Sequence, residues 1–468
     1  MQAIKKGYAF DDVLIRPRYS EISPRDTVVA TRFSRNIKLN IPIVSANMDT
    51  VTEWKMAHFM AQAGGIGIIH RWCSIEEEAE MARKVKRIES AIIDVPYTIN
   101  ANVMTKDASD LMSKRGVSGF PVVDEKKRVI GIITKSDIQF AKSLSVSVKG
   151  LMTEKVITAK RGISMEEAKK ILIENRIEKL PLMNEDRTLS GLITLKDINR
   201  SKNENAAKDI KGRLLVGAAI GSKDEALPRA EALVEAGADV LVIDIAHGHS
   251  KAEIETIKLI RKKFPDIEIV GGNVATREGV RDLIRAGADA VKVGIGPGAA
   301  CTTRTVTGVG VPQLSAIIEC SKEAKKYHIP VIADGGIKNS GDVAKAIGAG
   351  ASTVMIGSLL AGTDESPGEY ELEDGKAYKR YRGMASREAT EDKMRLDGND
   401  ENSYRVPEGK PGKVFYKGAA NKVLWEIVGA LRQSMGYVGA KTLPNFARKA
   451  QFKESSAAGL KESQTRLE

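Results

Sequence analysis

The densest chemical signal in the chain is the run Gly294-Ile295-Gly296-Pro297-Gly298-Ala299-Ala300-Cys301-Thr302-Thr303-Arg304. Glycines let a loop turn tightly and bring its backbone close to a ligand or ion. A cysteine on such a loop is a candidate nucleophile, because thiolate is the reactive form and needs an electropositive, partly exposed setting. The other two cysteines, Cys73 and Cys320, read as small buried hydrophobes.

The elements that must carry this loop alternate short apolar runs with amphipathic helices. The runs 41–46, 65–70, 214–219, 240–244, 267–273, 290–294, 331–334 and 353–357 predict eight buried parallel strands, and 226–236, 251–263 and 277–286 predict helices between them. This is the α/β pattern of a (β/α)₈ TIM barrel. Asp49, His70, Asp244, Asn273, Gly296, Asp334 and Gly357 fall at or just beyond strand C-termini, where barrel loops build active sites. Taken singly, each could equally be a turn or cap residue. A doubly wound sheet is disfavoured, since no strand runs into a G-x-G-x-x-G that opens a helix.

An internal repeat interrupts the barrel. At an offset of 60 residues, Thr98 matches Thr158, Ala108 matches Ala168 and Pro121 matches Pro181. Gly131-Ile132-Ile133-Thr134 likewise matches Gly191-Leu192-Ile193-Thr194. Each copy predicts a helix (108–115; 165–175), a strand holding the proline, and a second strand ending in threonine. The division expected is a first barrel part at 1–92, a tandem module at 93–203, and a second barrel part at 204–468.

Composition narrows the function classes. The chain has 468 residues, 42% hydrophobic and 29% charged, an ordinary globular balance. No apolar run reaches the ~18 residues of a membrane span, and no signal core follows the N-terminus. With three cysteines there is no disulfide framework, which fits a reducing, cytoplasmic setting. The net charge of +12 is spread among acids and aromatics are only 5%, so a surface attractive to anionic metabolites is expected rather than a nucleic-acid platform.

The Cys301 run resembles the active-site loop shared by the IMP dehydrogenase and GMP reductase family. The resemblance extends over nearly the whole chain, through Ser45-Ala46-Asn47-Met48-Asp49-Thr50, Asp244-Ile245-Ala246-His247, Ala333-Asp334-Gly335-Gly336, Tyr381-Arg382-Gly383-Met384 and Pro407-Glu408-Gly409. The repeat resembles the pair of CBS motifs that this family inserts at the same place. The resemblance implies that Cys301 adds to purine C2 of GMP or IMP and that Thr303 assists the leaving or entering group. Asp334 would hold the ribose hydroxyls. Gly336, Gly357, Ser358 and Tyr381 would bind the 5′-phosphate, with Gly383, Met384 and Glu408 completing the substrate site. Asp244, Asn273, Gly294 and Gly296 would face the cofactor, NADPH or NAD. Carbonyls of Gly296, Gly298 and Cys301 would hold K⁺. It further implies ATP- or GTP-type ligands at the CBS pair and a homotetramer or octamer.

The flap, 384–405, decides between the two activities. Hydrolysis of a Cys–purine adduct needs a base, which the family supplies as an adjacent Arg-Tyr pair. Here Leu396 follows Arg395, and Tyr404-Arg405 stands in reversed order before Glu408. That run and Asn47 look reductase-like. The CBS pair and the tail 459–463 look more like the dehydrogenase, and Ala299 replaces a serine common to both. The expectation is a GMP reductase with Thr303 and Glu388 as proton relay. IMP dehydrogenase, with Arg395 or Arg405 as substitute base, is the alternative, and an adenine-nucleotide sensor with an impaired barrel is the third reading.

Overall fold

The computed structural model describes residues 4–88, 93, 96–141, 145–195, 203–222, 225–397 and 406–463. It comprises two compact units. One is Met1–Lys86, Asn205–Asp209 and Leu214–Glu468, and the other is Arg87–Glu204 with Ile210–Arg213.

In the larger unit, eight parallel strands close into a barrel: β1 Ile43–Ser45, β2 Ile66–Ile69, β3 Gly217–Ile220, β4 Val240–Asp244, β5 Glu268–Val274, β6 Ala290–Val293, β7 Val331–Asp334 and β8 Thr353–Ile356. Closure runs through β8 and β1, with Val354 opposite Ile43. Side chains alternate across each strand, so every second residue points inward. Val44, Ile66, Ile68, Val240, Val242, Val270, Ala290 and Ile332 fill the interior, while Val291, Val293, Leu241 and Ile243 pack outward against the helices. One step further along the inward rows the chemistry changes. Val242 gives way to Asp244, Ala290 to Lys292 and Ile332 to Asp334, so a polar layer caps the apolar ones at the C-terminal end.

The smaller unit is two copies of one motif. Strand Ile99–Asn100, helix Thr105–Arg115 and the hairpin Gly119–Val123/Val129–Thr134 recur as Ala159–Lys160, Met165–Glu174 and Lys179–Met183/Leu189–Thr194. The repeat continues into the side chains. Ala108, Met112, Phe120, Val122 and Ile133 form one small core, and Ala168, Leu172, Leu180, Leu182 and Ile193, each 60 positions on, form the other. Both hairpin turns place a basic residue at positive φ, Lys127 at 59° and Arg187 at 65°.

Candidate active site

The polar layer is organised by one ammonium. Lys292 is almost wholly buried, and its Nζ donates to Asp244 Oδ1 at 2.6 Å, to Asp334 Oδ2 at 2.8 Å and to Asn273 Oδ1. Asn273 Nδ2 donates to the same Asp334 oxygen at 2.9 Å and to the Gly294 carbonyl at 2.7 Å. Asn47 Nδ2 donates to Asp244 Oδ2 at 2.9 Å. Burial works against the charge on Lys292, but the two carboxylates outweigh it and hold its pKa above the ordinary lysine value. Burial likewise opposes ionisation of Asp244, and Lys292 with Asn47 reverses that, holding the carboxyl below its usual range.

Beside this layer stands the loop after β6. Cys301 Sγ lies 3.1 Å from Thr303 Oγ1, which donates to Glu408 Oε2 at 2.7 Å. Three loop segments hold the row together. Thr302 N–H donates to the Glu408 carbonyl at 2.8 Å, Lys410 N–H to Ala300 O at 2.9 Å, and Glu408 N–H to Ala385 O at 2.9 Å. Gly409 therefore bridges Cys301 on one side and Ser386 on the other. A Cβ at Gly409 would come within 2.9 Å of the Ser386 backbone, and one at Gly383 equally close to Ala300 O, so both glycines are needed for the close approach. Arg304 anchors the loop through Ile295 O (3.1 Å) and Val311 O (2.5 Å). The other two thiols are those of Cys73 and Cys320. Burial pushes both thiols up to about 12.

Residues expected at a phosphate converge beside the row. Gly335 and Gly336 turn the chain after β7 at φ 88° and 82°. A Cβ on Gly357 would meet the Tyr381 hydroxyl at 3.1 Å, so these two are immediate neighbours, and Ser358 follows half-buried. Burial raises the Tyr381 phenol well above its ordinary pKa, with Asp334 and Cys301 adding to the effect. It is therefore a neutral donor. Met384 Sδ accepts from Asp49 N–H at 3.5 Å, which ties the start of the flap to the loop after β1.

One expected partnership is corrected by the geometry. Glu388 sits at the exposed start of helix Arg387–Asp397 and pairs with Arg380, not with Thr303. The carboxylate that reaches Thr303 is Glu408. Arg395 is exposed and lies 3.9 Å from the Asp392 carboxylate, while Tyr404 and Arg405 lie outside the described residues. The helix is fastened to the barrel rim by side chains from several elements. Trp72 Nε1 donates to Ala389 O at 3.0 Å, Lys393 Nζ to Glu225 at 3.0 Å, and Arg382 to Asp392 at 2.6 Å, with Asp49 on the other side of the same guanidinium at 2.8 Å. The sequence did not single out Lys292. The only signal for it was a lysine set inside an otherwise apolar strand.

A closed barrel with a thiol, hydroxyl and carboxylate hydrogen-bonded in a row beside a buried aspartate–lysine layer at the strands' C-terminal ends has the architecture of a (β/α)₈-barrel enzyme. The IMP dehydrogenase / GMP reductase domain matches residues 7–466. The chain is 52% identical over 466 residues to inosine-5′-monophosphate dehydrogenase of Aquifex aeolicus, covering 98% of this chain and 95% of that one. It is 50% identical over 468 residues to the same enzyme of Nitrosopumilus maritimus, covering 98% of each. Among solved structures, a cysteine-to-alanine variant of GMP reductase from Trypanosoma brucei, in complex with guanosine 5′-monophosphate, superposes with a TM-score of 0.94 at 43% identity, covering 99% of this chain and 98% of that one. The same enzyme in complex with guanosine 5′-triphosphate gives 0.82 at 40%, covering 97% and 99%. The chain belongs to the IMP dehydrogenase / GMP reductase family. It is a purine nucleotide oxidoreductase. No helix among the described residues is long and apolar enough to cross a membrane.

Proposed function

We propose that the chain is a GMP reductase, converting GMP, NADPH and a proton to IMP, NADP⁺ and ammonia. The observation that supports this reading is the continuous row Cys301–Thr303–Glu408, which offers the thiol and the departing amine one proton path, beside a flap sequence with no Arg-Tyr pair. In this scheme the thiol proton passes through Thr303 to Glu408 as sulfur bonds to C2. The proton returns by the same path to the departing 2-amino group, which leaves as ammonia. Tyr381 and the Gly336 and Gly357 turns hold the phosphate, Asp334 takes the ribose hydroxyls, and Gly383 with Met384 borders the base. After hydride transfer to C2 the C–S bond breaks, IMP is released, and the Cys301 thiolate takes up the proton that the net reaction consumes.

The nicotinamide, when bound, supplies that hydride. Asp244, Asn273 and the Gly294–Gly296 turn fit its carboxamide side, since Lys292 and Asn47 fix the two polar side chains at the rim with part of Asp244 accessible. Uncharged carbonyls of Gly296, Gly298 and Cys301 are a hard, low-charge donor set that suits a monovalent cation such as K⁺ better than a divalent one.

The second reading, NAD-dependent oxidation of IMP to XMP, is favoured by the half-identical curated relatives, which are IMP dehydrogenases. Against it, the flap sequence carries no Arg-Tyr pair, and loss of a general base lowers a rate by about 10²–10⁴-fold. Parallel assays at 340 nm, GMP with NADPH and IMP with NAD, separate the two. Turnover only in the second overturns the reductase, and turnover in neither leaves a nucleotide sensor, which calorimetry with ATP would identify. For the tandem-repeat unit we infer binding of ATP- or GTP-type ligands. An open cleft of about 690 Å³ in its second repeat is lined by Lys160, Arg161 and Lys170 together with Glu167 and Glu174. A cytoplasmic homotetramer or octamer completes the proposal.

A further inference from the structure

We propose that Lys292 is a positioning residue that couples the ribose side of the site to the nicotinamide side. The inference rests on the reading above, in which Asp334 takes the ribose hydroxyls and Asp244 faces the cofactor. An ammonium has three donors. Lys292 spends all three on groups carried by three different strands, Asp244 on β4, Asn273 on β5 and Asp334 on β7. Among the described residues it is the only cation bonded to either carboxylate. Asp334 commits one oxygen, Oδ2, to both Lys292 and Asn273, which leaves Oδ1 to face a ligand. Asp244 commits Oδ1 to Lys292 and Oδ2 to Asn47.

The surrounding charges do not replace this ammonium. Arg71, at the end of β2, acts on Asp244 only at a distance and pairs with Glu225 at 3.0 Å. Glu253, behind β5, is buried and accepts from Gly272 N–H at 2.9 Å, and burial pushes its carboxyl well above the usual carboxylate range. Tyr381 faces Asp334 as a neutral phenol. Without Lys292, the facing oxygens of Asp244 and Asp334 would stand within two hydrogen-bond lengths of each other, with only the neutral amides of Asn47 and Asn273 bonded to the two carboxylates. Like charges so placed cannot both remain ionised and in register.

The test is equilibrium binding of GMP and of IMP, without cofactor, to the full-length protein by calorimetry. Lys292→Met should raise the nucleotide Kd at least about tenfold. Adding Asp244→Asn to that variant removes the unanswered negative charge and should restore the Kd to within about threefold of the unsubstituted protein. A purely structural lysine would give the opposite, because a second substitution in the same layer would add to the damage. The inference is overturned if Lys292→Met binds as the parent does, or if the double variant binds no better than Lys292→Met alone. Should Lys292→Met lack a cooperative thermal transition, Lys292→Arg carries the test. It keeps the charge but cannot converge on three acceptors at one point. A rise in both the nucleotide Kd and the cofactor KM supports the coupling, and a rise in neither defeats it. If the unsubstituted protein binds neither nucleotide, the reading of the site falls and this inference with it.

Discussion

Two halves of the barrel mouth are built on different principles. In the strand-borne half, Asp244, Asn273, Lys292 and Asp334 sit on neighbouring inward rows, and the ammonium's three donors are matched by three acceptors within the barrel. In the loop-borne half, Cys301, Thr303 and Glu408 form an open row whose free end is the sulfur. In the first half, parallel-strand hydrogen bonds set the spacing of its members, with Asn273 entering at the register shift of β5. The second depends on three loop segments knitting at Gly409. The difference separates binding from chemistry. A saturated network orients a ligand, and an incomplete row reacts with it.

Substitutions should therefore split along the same line. The largest effect expected is for Cys301→Ala, which should lower turnover by roughly 10³–10⁶-fold while leaving GMP or IMP binding by calorimetry within about threefold. Loss of binding together with turnover would merge the two halves. Next, Glu408→Gln keeps the hydrogen bond to Thr303 but cannot accept its proton, and should reduce kcat by about 10²–10⁴-fold with little change in nucleotide affinity. A near-normal kcat would remove Glu408 from the proton path.

Reactivity of the thiols gives a smaller but sharper contrast. A group whose pKa is raised is still protonated at pH 8, so Cys73 and Cys320, pushed up to about 12, carry little thiolate there. Allowing for the higher intrinsic nucleophilicity of a more basic thiolate, each should alkylate at least roughly 30-fold more slowly than an ordinary thiol. Peptide mass spectrometry after iodoacetamide at pH 8 should find Cys301 labelled first, and early labelling of Cys73 would contradict this environment. The smallest effect belongs to Glu388→Ala. Its carboxylate pairs with Arg380 away from the row, so kcat should change by no more than about threefold, in line with the modest worth of exposed ion pairs. A hundredfold loss would reinstate Glu388 as the relay.

Much of this was legible in the residues themselves. The eight barrel strands were readable because apolar runs of strand length, alternating with amphipathic helices such as 226–236, 251–263 and 277–286, admit few other arrangements. Their ends moved by up to three residues, as at β3, where the run 214–219 became Gly217–Ile220. Glu388 was the misjudged residue. Both Glu388 and Glu408 lie in one charged stretch, and nothing local distinguishes the carboxylate that bonds Thr303, which is 105 positions away from Glu408. Lys292 was passed over for the opposite reason. A lone lysine in a strand gives no hint of its acceptors, because Asp244, Asn273 and Asp334 lie 48, 19 and 42 positions away.

The order of residues alone determined the closed ring of strands, the twin motif set inside it and the sulfur-bearing loop, because periodicity, a constant 60-residue offset and a dense run of special residue types are properties of neighbours along the chain. Only the tertiary structure decided which acid meets Thr303, which cation stands between Asp244 and Asp334, and where the flap helix is fastened. Those are pairings between segments far apart in sequence, and their geometry exists only once the ring has closed.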